Sequence, residues 1–431
     1  MKNLSITTAE QKIAAIKFKE YKKKGLNAVK SKGLNYALGM LSDLKDRYNA
    51  DQTYVNKKMY DGFKKGIYSL KGYASSKNIN EEIDVLMLAQ DDWSNTGYRF
   101  SLCLKALGLN VVIIKGKAHS YNYPVQAPID PALSGKLKTI YPRVFKPKNA
   151  KYKEYLRGLI RSAKVVHFFA STYIDLGMEK ELKRKHVVVQ HGGTTYRQAP
   201  SLTNNIFNKF ADATVIQCPD LLSLGSKNEH LIYYPVQTDI IKPNFEKMGS
   251  KLLVGHFPSS PKNKGTKEIL DIIQELEKDP MYRDKFEYIG TRSLKQGRRS
   301  WEEQLKVVSG CDVLIETMCL NQGKKIFGEW GNTAIEAAAL GKVVLTNSKT
   351  KHIYSKEYGQ TALNIVNNKK QLKAQLIRFI EMTDEELKNQ KILTRKWVVQ
   401  NHSMEANAIR LWNKIYKNFF PDLKINLNIG E

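Results

Sequence analysis

The chain has 431 residues, with 70 Lys and Arg against 42 Asp and Glu, a formal net charge of +28, and 42% apolar residues. That length predicts two or three domains with full cores, and its aromatic and β-branched content excludes wholesale disorder. Cys103, Cys218, Cys311 and Cys319 stand far apart with no CxxC pair, which excludes a zinc ribbon or a disulfide framework and suits a reducing compartment.

The first residues, Met1 to Thr8, lack the apolar core of a secretory signal, and no run approaches the ~20 apolar residues of a membrane-spanning helix. The expected setting is cytoplasmic, with peripheral contact to a membrane left open. Residues 1–80 carry sixteen Lys and Arg47 against six acids, a net of +11. Such a field favours anionic partners: nucleic acid, acidic lipid head groups or phosphate-bearing substrates.

Residues 8–75 show apolar residues at helical spacing among lysines, broken by Gly25, Gly33, Gly62 and Gly66. This predicts several short amphipathic helices, followed by a linker at Ser75–Asn78. The pattern then changes. Ile83–Ala89 reads as a buried strand, closed by the turn-rich run Asp91–Gly97; a helix (Tyr98–Leu107), Gly108 and a second strand (Val111–Ile114) complete a βαβ unit and hence a parallel sheet. Further strands are expected at Val165–Phe169, His186–Gln190 and Ala213–Ile216, with residues 118–151 as a long surface loop. Asp91-Asp92 has the look of a metal-binding acidic pair, but a strand end before a helix suits N-capping equally well.

The proline-bracketed run Pro235–Pro243 predicts a domain boundary. Beyond it a second series of βα units begins, with strands at Leu252–Gly255, Phe286–Ile289, Asp312–Ile315 and Val343–Thr346. Helices are expected over 266–277, 301–309, 333–340, 371–381 and 403–417. The domains so defined are a basic helical extension (1–80), two Rossmann-like domains (83–240 and 241–402) and a C-terminal helix (403–431) returning to the first of them. Two such halves joined by a hinge face each other across a cleft, where open α/β sheets bind ligands.

At this point several segments, in order, resemble a known family. Cys311–Ile315, Gly331 and Ala334–Val344 resemble the C-terminal signature of GT-B glycosyltransferases, above all family 4. The strand ending Gln190-His191-Gly192, the run Phe210–Cys218 and the hinge Tyr234–Pro243 match the family's N-domain histidine, its "adaviavS" segment and its "PNGVDxxxFxP". The resemblance covers roughly residues 83–419. It implies an α/β fold of GT-B type and transfer of a sugar from a nucleotide-sugar to a glycan, lipid-linked or other acceptor, without a metal or other cofactor.

Residue by residue, the resemblance places Glu336 at the second Glu of the family's paired-glutamate motif. Gly328 stands where the first Glu belongs, with Glu329 one place on. Retention at the anomeric carbon is the implied outcome, and the displaced first Glu leaves inversion open. The family's phosphate clamp, G-R-x-x-x-x-K-G, corresponds to Gly255-His256 and a later Lys264-Gly265, so Lys262, Lys264 or Arg292 would supply the missing charge. The donor-binding expectation is thus Lys264, His256, Arg292, Gly331, Asn332, Thr333 and Glu336. His191 and Glu329 are the expected catalytic pair, and Asn95, Gly97 and Arg99 an acceptor or phosphate loop.

The residues by themselves support parts of this. A diphosphate leaving group needs Lys or Arg and the N–H groups of a helix N-terminus; Lys264 and the Gly331-Asn332-Thr333 turn both precede expected helices. No dinucleotide fingerprint, nucleophile elbow or P-loop occurs. Three other readings stay open: another GT-B activity such as sugar-nucleotide epimerisation, a lectin-like binder on the same scaffold, and a basic nucleic-acid-binding protein, which no nucleic-acid module in the sequence supports.

Overall fold

A computed structural model describes residues 15–24, 44, 58–59, 82–134, 137–141, 143–295, 297, 299–318 and 329–425. The chain divides into two units, residues 1–81 and 82–431. In the first, a helix covers 15–24, with Glu20 bridging Lys17 and Lys24 at 3.0 and 2.8 Å. Leu44 and Lys58–Met59 are also helical; the rest of the helices expected in 8–75, and the linker at 75–78, lie outside the described residues.

The second unit opens with a six-stranded, all-parallel sheet. Its strands are β1 (Ile83–Ala89), β2 (Val111–Lys115), β5 (Ala163–Phe168), β7 (His186–His191), β8 (Ala213–Ile216) and β9 (Glu229–Leu231), in the order β2-β1-β5-β7-β8-β9. These are nearly continuous apolar runs because helices cover both faces of a parallel sheet. Val85 and Met87 join one buried cluster with Phe100 and Leu104, and Leu86 and Leu88 join the opposite one with Leu159 and Ile160. Helices α1 (Thr96–Ala106), α2 (Ala150–Ser162) and α3 (Pro200–Phe207) make up the layers.

Five parallel strands form the second sheet in the order β11-β10-β12-β13-β14: β10 (Leu252–Gly255), β11 (Phe286–Tyr288), β12 (Val313–Thr317), β13 (Val343–Thr346) and β14 (Asn364–Ile365). Around it lie α4 (Thr266–Lys278), α5 (Trp301–Ser309), α6 (Asn332–Ala339), α7 (Lys351–Tyr358), α8 (Lys369–Glu381) and α9 (Asp384–His402). The chain passes between the sheets twice, at neighbouring points. Val236 N donates to His402 O at 2.8 Å, and Arg395 donates to the carbonyls of Thr238 and Ile241 at 2.7 and 3.0 Å. After the second passage α10 (Met404–Lys414) packs Ala408, Leu411 and Trp412 into the first domain's core.

The long loop expected over 118–151 is instead partly ordered. β3 (Leu137–Tyr141) and β4 (Val144–Pro147) form an antiparallel hairpin, and β4 pairs in parallel with β6 (Tyr173–Ile174). Strands of four or five residues among Pro, Tyr and Lys carry no readable alternation. Arg143 turns the corner in the left-handed region, φ 69°. α9, 19 residues long, was also unexpected, because charged residues interrupt its apolar stripe.

Candidate functional site

In each sheet the strand order reverses at one point, between β1 and β5 in the first and between β10 and β12 in the second. Ligands of open α/β sheets bind at the carboxyl ends of the strands at such a reversal. Here the two reversals share a pocket. The first domain contributes Ser94, Tyr121 and Tyr123 to its lining, and the second contributes Lys264, Trp301, Glu316, Asn332, Thr333 and Glu336 among others.

Glu336 lies in α6 and is 5% exposed. Its Oε1 accepts from Arg99 Nη2 at 2.6 Å and from Trp301 Nε1 at 2.9 Å. Arg99 belongs to the first domain, in the first turn of α1, and its Nη1 donates to Pro235 O at 3.4 Å. The domains also meet where Trp301 N donates to Tyr121 O at 2.7 Å and where the rings of Tyr123 and Trp301 lie 5.9 Å apart.

Lys264 ends a short turn after β10, just before α4. Its Nζ pairs with Glu316 Oε1, while Thr346 Oγ1 donates to Glu316 Oε2 at 3.1 Å. Gly331 faces this pair: a Cβ built there would lie 3.6 Å from Glu316 Oε1 and 3.7 Å from Lys264 Nζ. The N-cap residues of α6 and α4 are glycines, Gly331 and Gly265, which offer no capping side chain, so Asn332 and Thr333 begin a helix whose positive end borders the pocket. Asn332 Oδ1 is buried with no hydrogen-bond partner among the described residues.

Lys264, Gly331, Asn332, Thr333 and Glu336 are thus brought together, and Arg99 reaches them. His256 and Arg292 are not. His256 is fully buried; its Nδ1 donates to Ile315 O at 2.7 Å and its Nε2 accepts from Thr266 Oγ1 at 2.8 Å. Burial pushes it down to about 4, so the neutral ring ties β10 to β12 and α4 and offers a phosphate no charge. Arg292 lies outside the pocket lining, with both Nη atoms on Glu277 and its guanidinium over Tyr288.

The expected catalytic pair also stands apart from the pocket lining. His191 is 1% exposed, shares a hydrogen bond of 3.0 Å with Ser171 Oγ and stacks on Tyr196 at 4.0 Å; burial pushes it down to about 3. Glu329 accepts from Ser348 Oγ at 2.8 Å and from Thr350 N at 2.9 Å. Burial pushes its carboxyl up to about 7 against those hydrogen bonds.

The first βα turn is not an open anion cradle. Asp92 takes the N–H groups of Gly97 and Tyr98 at 2.7 and 2.9 Å, the capping alternative to metal binding. A Cβ on Gly97 would meet Phe169 at 2.4 Å, so the glycine serves close packing of α1 on the sheet. Asn95 Nδ2 donates to Val125 O at 2.8 Å. Ser94 and Asn95 are both left-handed, φ 52° and 56°, at a cost on the order of 1 kcal/mol each.

Glu316, Trp301 and Tyr123 escaped the sequence reading. A single acid near the end of an otherwise apolar strand, Val313–Thr317, is the signal for Glu316, since a buried carboxylate needs a partner. Trp301 and Tyr123 carry no such local sign.

No protein-family model matches the sequence, and no curated protein does. Solved structures do. Anabaena Alr3699/HepE in complex with UDP and glucose superposes with a TM-score of 0.51 at 11% identity, over 77% of this chain and 99% of that one; the same protein in complex with UDP-glucose gives 0.50, with the same identity and coverage. The N-terminal domain of Candida albicans trehalose-6-phosphate phosphatase gives 0.51 at 10% identity, over 78% and 96%. The shared architecture is the GT-B fold, two Rossmann-like domains facing a cleft.

Proposed function

We propose that this protein is a glycosyltransferase that takes a sugar from a nucleotide-sugar donor bound mainly by its second domain and passes it to an acceptor held by the first. One observation carries the reading: Glu336, Lys264 and the uncapped start of α6 converge on a single pocket at the strand reversal of the second sheet. Binding of UDP and glucose by HepE, a protein of the same fold, supports it.

In this reading the Glu336 carboxylate accepts the two ribose hydroxyls. The diphosphate lies between Lys264 and the N–H groups at the start of α6, which meet the charge that grows as the glycosidic C–O bond breaks. Lys264 exchanges Glu316 for phosphate, and Arg99 exchanges Glu336 for the donor. With Lys264 and the helix N–H groups meeting that charge, this reading needs no metal, and transfer is expected to survive a chelator. Closure of the first domain over the second shields the reacting carbon from water.

The test is a thermal-shift panel of UDP-, GDP-, ADP- and CDP-sugars with Glu336→Ala alongside. One nucleotide is expected to stabilise the wild type by about 2.7 kcal/mol at 100 times its Kd, and to leave the variant unmoved. No stabilisation by any donor, or equal stabilisation of the variant, overturns the assignment of this pocket.

A further inference from the structure

The first sheet's own reversal, between β1 and β5, carries a group of side chains that the donor reading does not use. Trp93 sits on the loop after β1 and is 53% exposed, although tryptophan is ordinarily covered. The turn that presents it is held from several sides: Thr96 Oγ1 donates to Trp93 O at 2.9 Å, and Ser94 N donates to His119 Nε2 at 3.3 Å.

Arg143 spans the reversal. Its Nη1 donates to Asp91 Oδ2 at 2.7 Å on the β1 side, and its Nη2 donates to Ala170 O and Thr172 Oγ1 at 2.6 and 2.8 Å on the β5 side. The same guanidinium lies over the Trp93 ring, 5.9 Å from its centre, and its side chain is only 13% exposed. The indole is therefore backed by a fixed cation on one face, while more than half of the residue stays open. Beside it Asp91 Oδ1 has, among the described residues, only Lys117 Nζ, at 4.0 Å, facing it, and the Lys117 side chain is itself 61% exposed.

From this geometry we infer that Trp93, with Asp91 and Lys117 at its edge, is a stacking platform for a pyranose ring of a glycan acceptor; the inference rests on the reading of the cleft as a transferase site. An exposed, immobilised aromatic face suits the C–H face of a sugar, and a carboxylate with an unfilled oxygen beside an ammonium suits vicinal hydroxyls. Asp91 is balanced by Arg143 and Lys117; both Nη atoms of Arg143 are taken by protein acceptors, and its Nε, though without a partner among the described residues, is buried, so the guanidinium turns no open N–H toward a phosphate. That favours a neutral sugar as the group bound here. Ser94, next to Trp93 in the chain, lines the donor pocket, so the platform stands at that pocket's border.

The test uses the full chain and needs no donor. Malto-, cello-, manno- and chito-hexaose are titrated calorimetrically into wild type, Trp93→Ala and Trp93→Phe, and the Trp93 indole N–H resonance is followed in the wild type. At least one oligosaccharide is expected to give a saturating shift, with affinity reduced tenfold or more in Trp93→Ala and within about threefold in Trp93→Phe. Thermal shifts by UDP, GDP and ADP serve as a separate readout of the donor pocket and are expected to be equal in all three proteins. No response at Trp93 to any of the four sugars, or unchanged affinity in Trp93→Ala, overturns the platform. Loss of nucleotide binding in the wild type would overturn the donor reading instead, leaving the sugar titration to be judged alone.

Discussion

Arg99 and Glu336 form a buried ion pair across the domain cleft, 2.6 Å from nitrogen to oxygen, with side chains 2% and 6% exposed. Removing one member of a buried pair strands a charge at a cost of about 3–5 kcal/mol. Here the molecule has a cheaper escape, since parting the domains returns the stranded carboxylate to water. Arg99→Met is therefore expected to open the cleft, seen as a larger radius of gyration by small-angle scattering. Arg99→Met/Glu336→Gln, which leaves no charge behind, is expected to close it again. Equal radii in all three proteins would show that the pair does not hold the domains together.

The second ion pair of the pocket separates folding from ligand binding. Glu316 is 1% exposed at its side chain and faces Lys264, so Lys264→Met should lower the melting temperature, and adding Glu316→Gln should restore much of it. Binding of nucleoside diphosphates should fall at least tenfold in both variants, while binding of the free nucleoside stays unchanged. Equal losses for nucleoside and diphosphate would remove Lys264 from the phosphate site.

Acid should unfold this protein early. Burial pushes His167 and His191 down to about 3 and His256 to about 4, from about 6.5 in the unfolded chain. Each is a base depressed by folding, so its contribution is present in full above pH 6.5 and drains away as pH falls toward 4, where only the unfolded chain takes up the proton. Three such rings give a slope approaching 4 kcal/mol per pH unit. Urea midpoints measured from pH 7.5 to 5 should fall steeply; a flat profile would contradict the burial of these rings.

Glu329 works in the opposite direction. Its carboxyl stands at about 7 in the fold, above its unfolded value of about 4.3, so the native state holds the proton more tightly and loses stability as pH rises from about 4.5 to 7. Glu329→Gln removes an ionised buried carboxylate at pH 8, for a gain on the order of 3 kcal/mol, and should change little at pH 5. Parallel urea curves at the two pH values check this, and an equal effect at both would refute it.

Much of this architecture is legible in the chain because it is written locally. β1, β2, β5, β7 and β8 are short apolar runs closed by turns, and both faces of each are buried, so no alternation is needed to recognise them. Lys264 and the Gly331-Asn332-Thr333 turn were likewise readable, since each precedes a helix after a strand. Arg99 and Glu336 are 237 positions apart, and nothing near either foretells the other. His256 stands away from the pocket for a related reason: its position in the chain resembles a clamp, but only the fold shows Ile315 and Thr266 enclosing its ring. The β3–β4 hairpin was hidden because pairing across a turn, rather than sequence periodicity, makes so short a strand.

The double passage at Val236 and His402 makes the second domain an insertion within the first. The core around Phe100 and Leu104 is completed by Ala408, Leu411 and Trp412 of α10, which the ribosome makes only after the whole second domain. A nascent chain that has reached residue 240 has every strand of the first sheet but lacks one wall of its core. At 5–20 residues per second it waits roughly ten to forty seconds for that wall, while the second domain is assembled between the two passages. A chain stopped at His402 should therefore lose its first domain rather than its second. Limited proteolysis of such a truncation would leave the residues beyond 241 as the protected fragment.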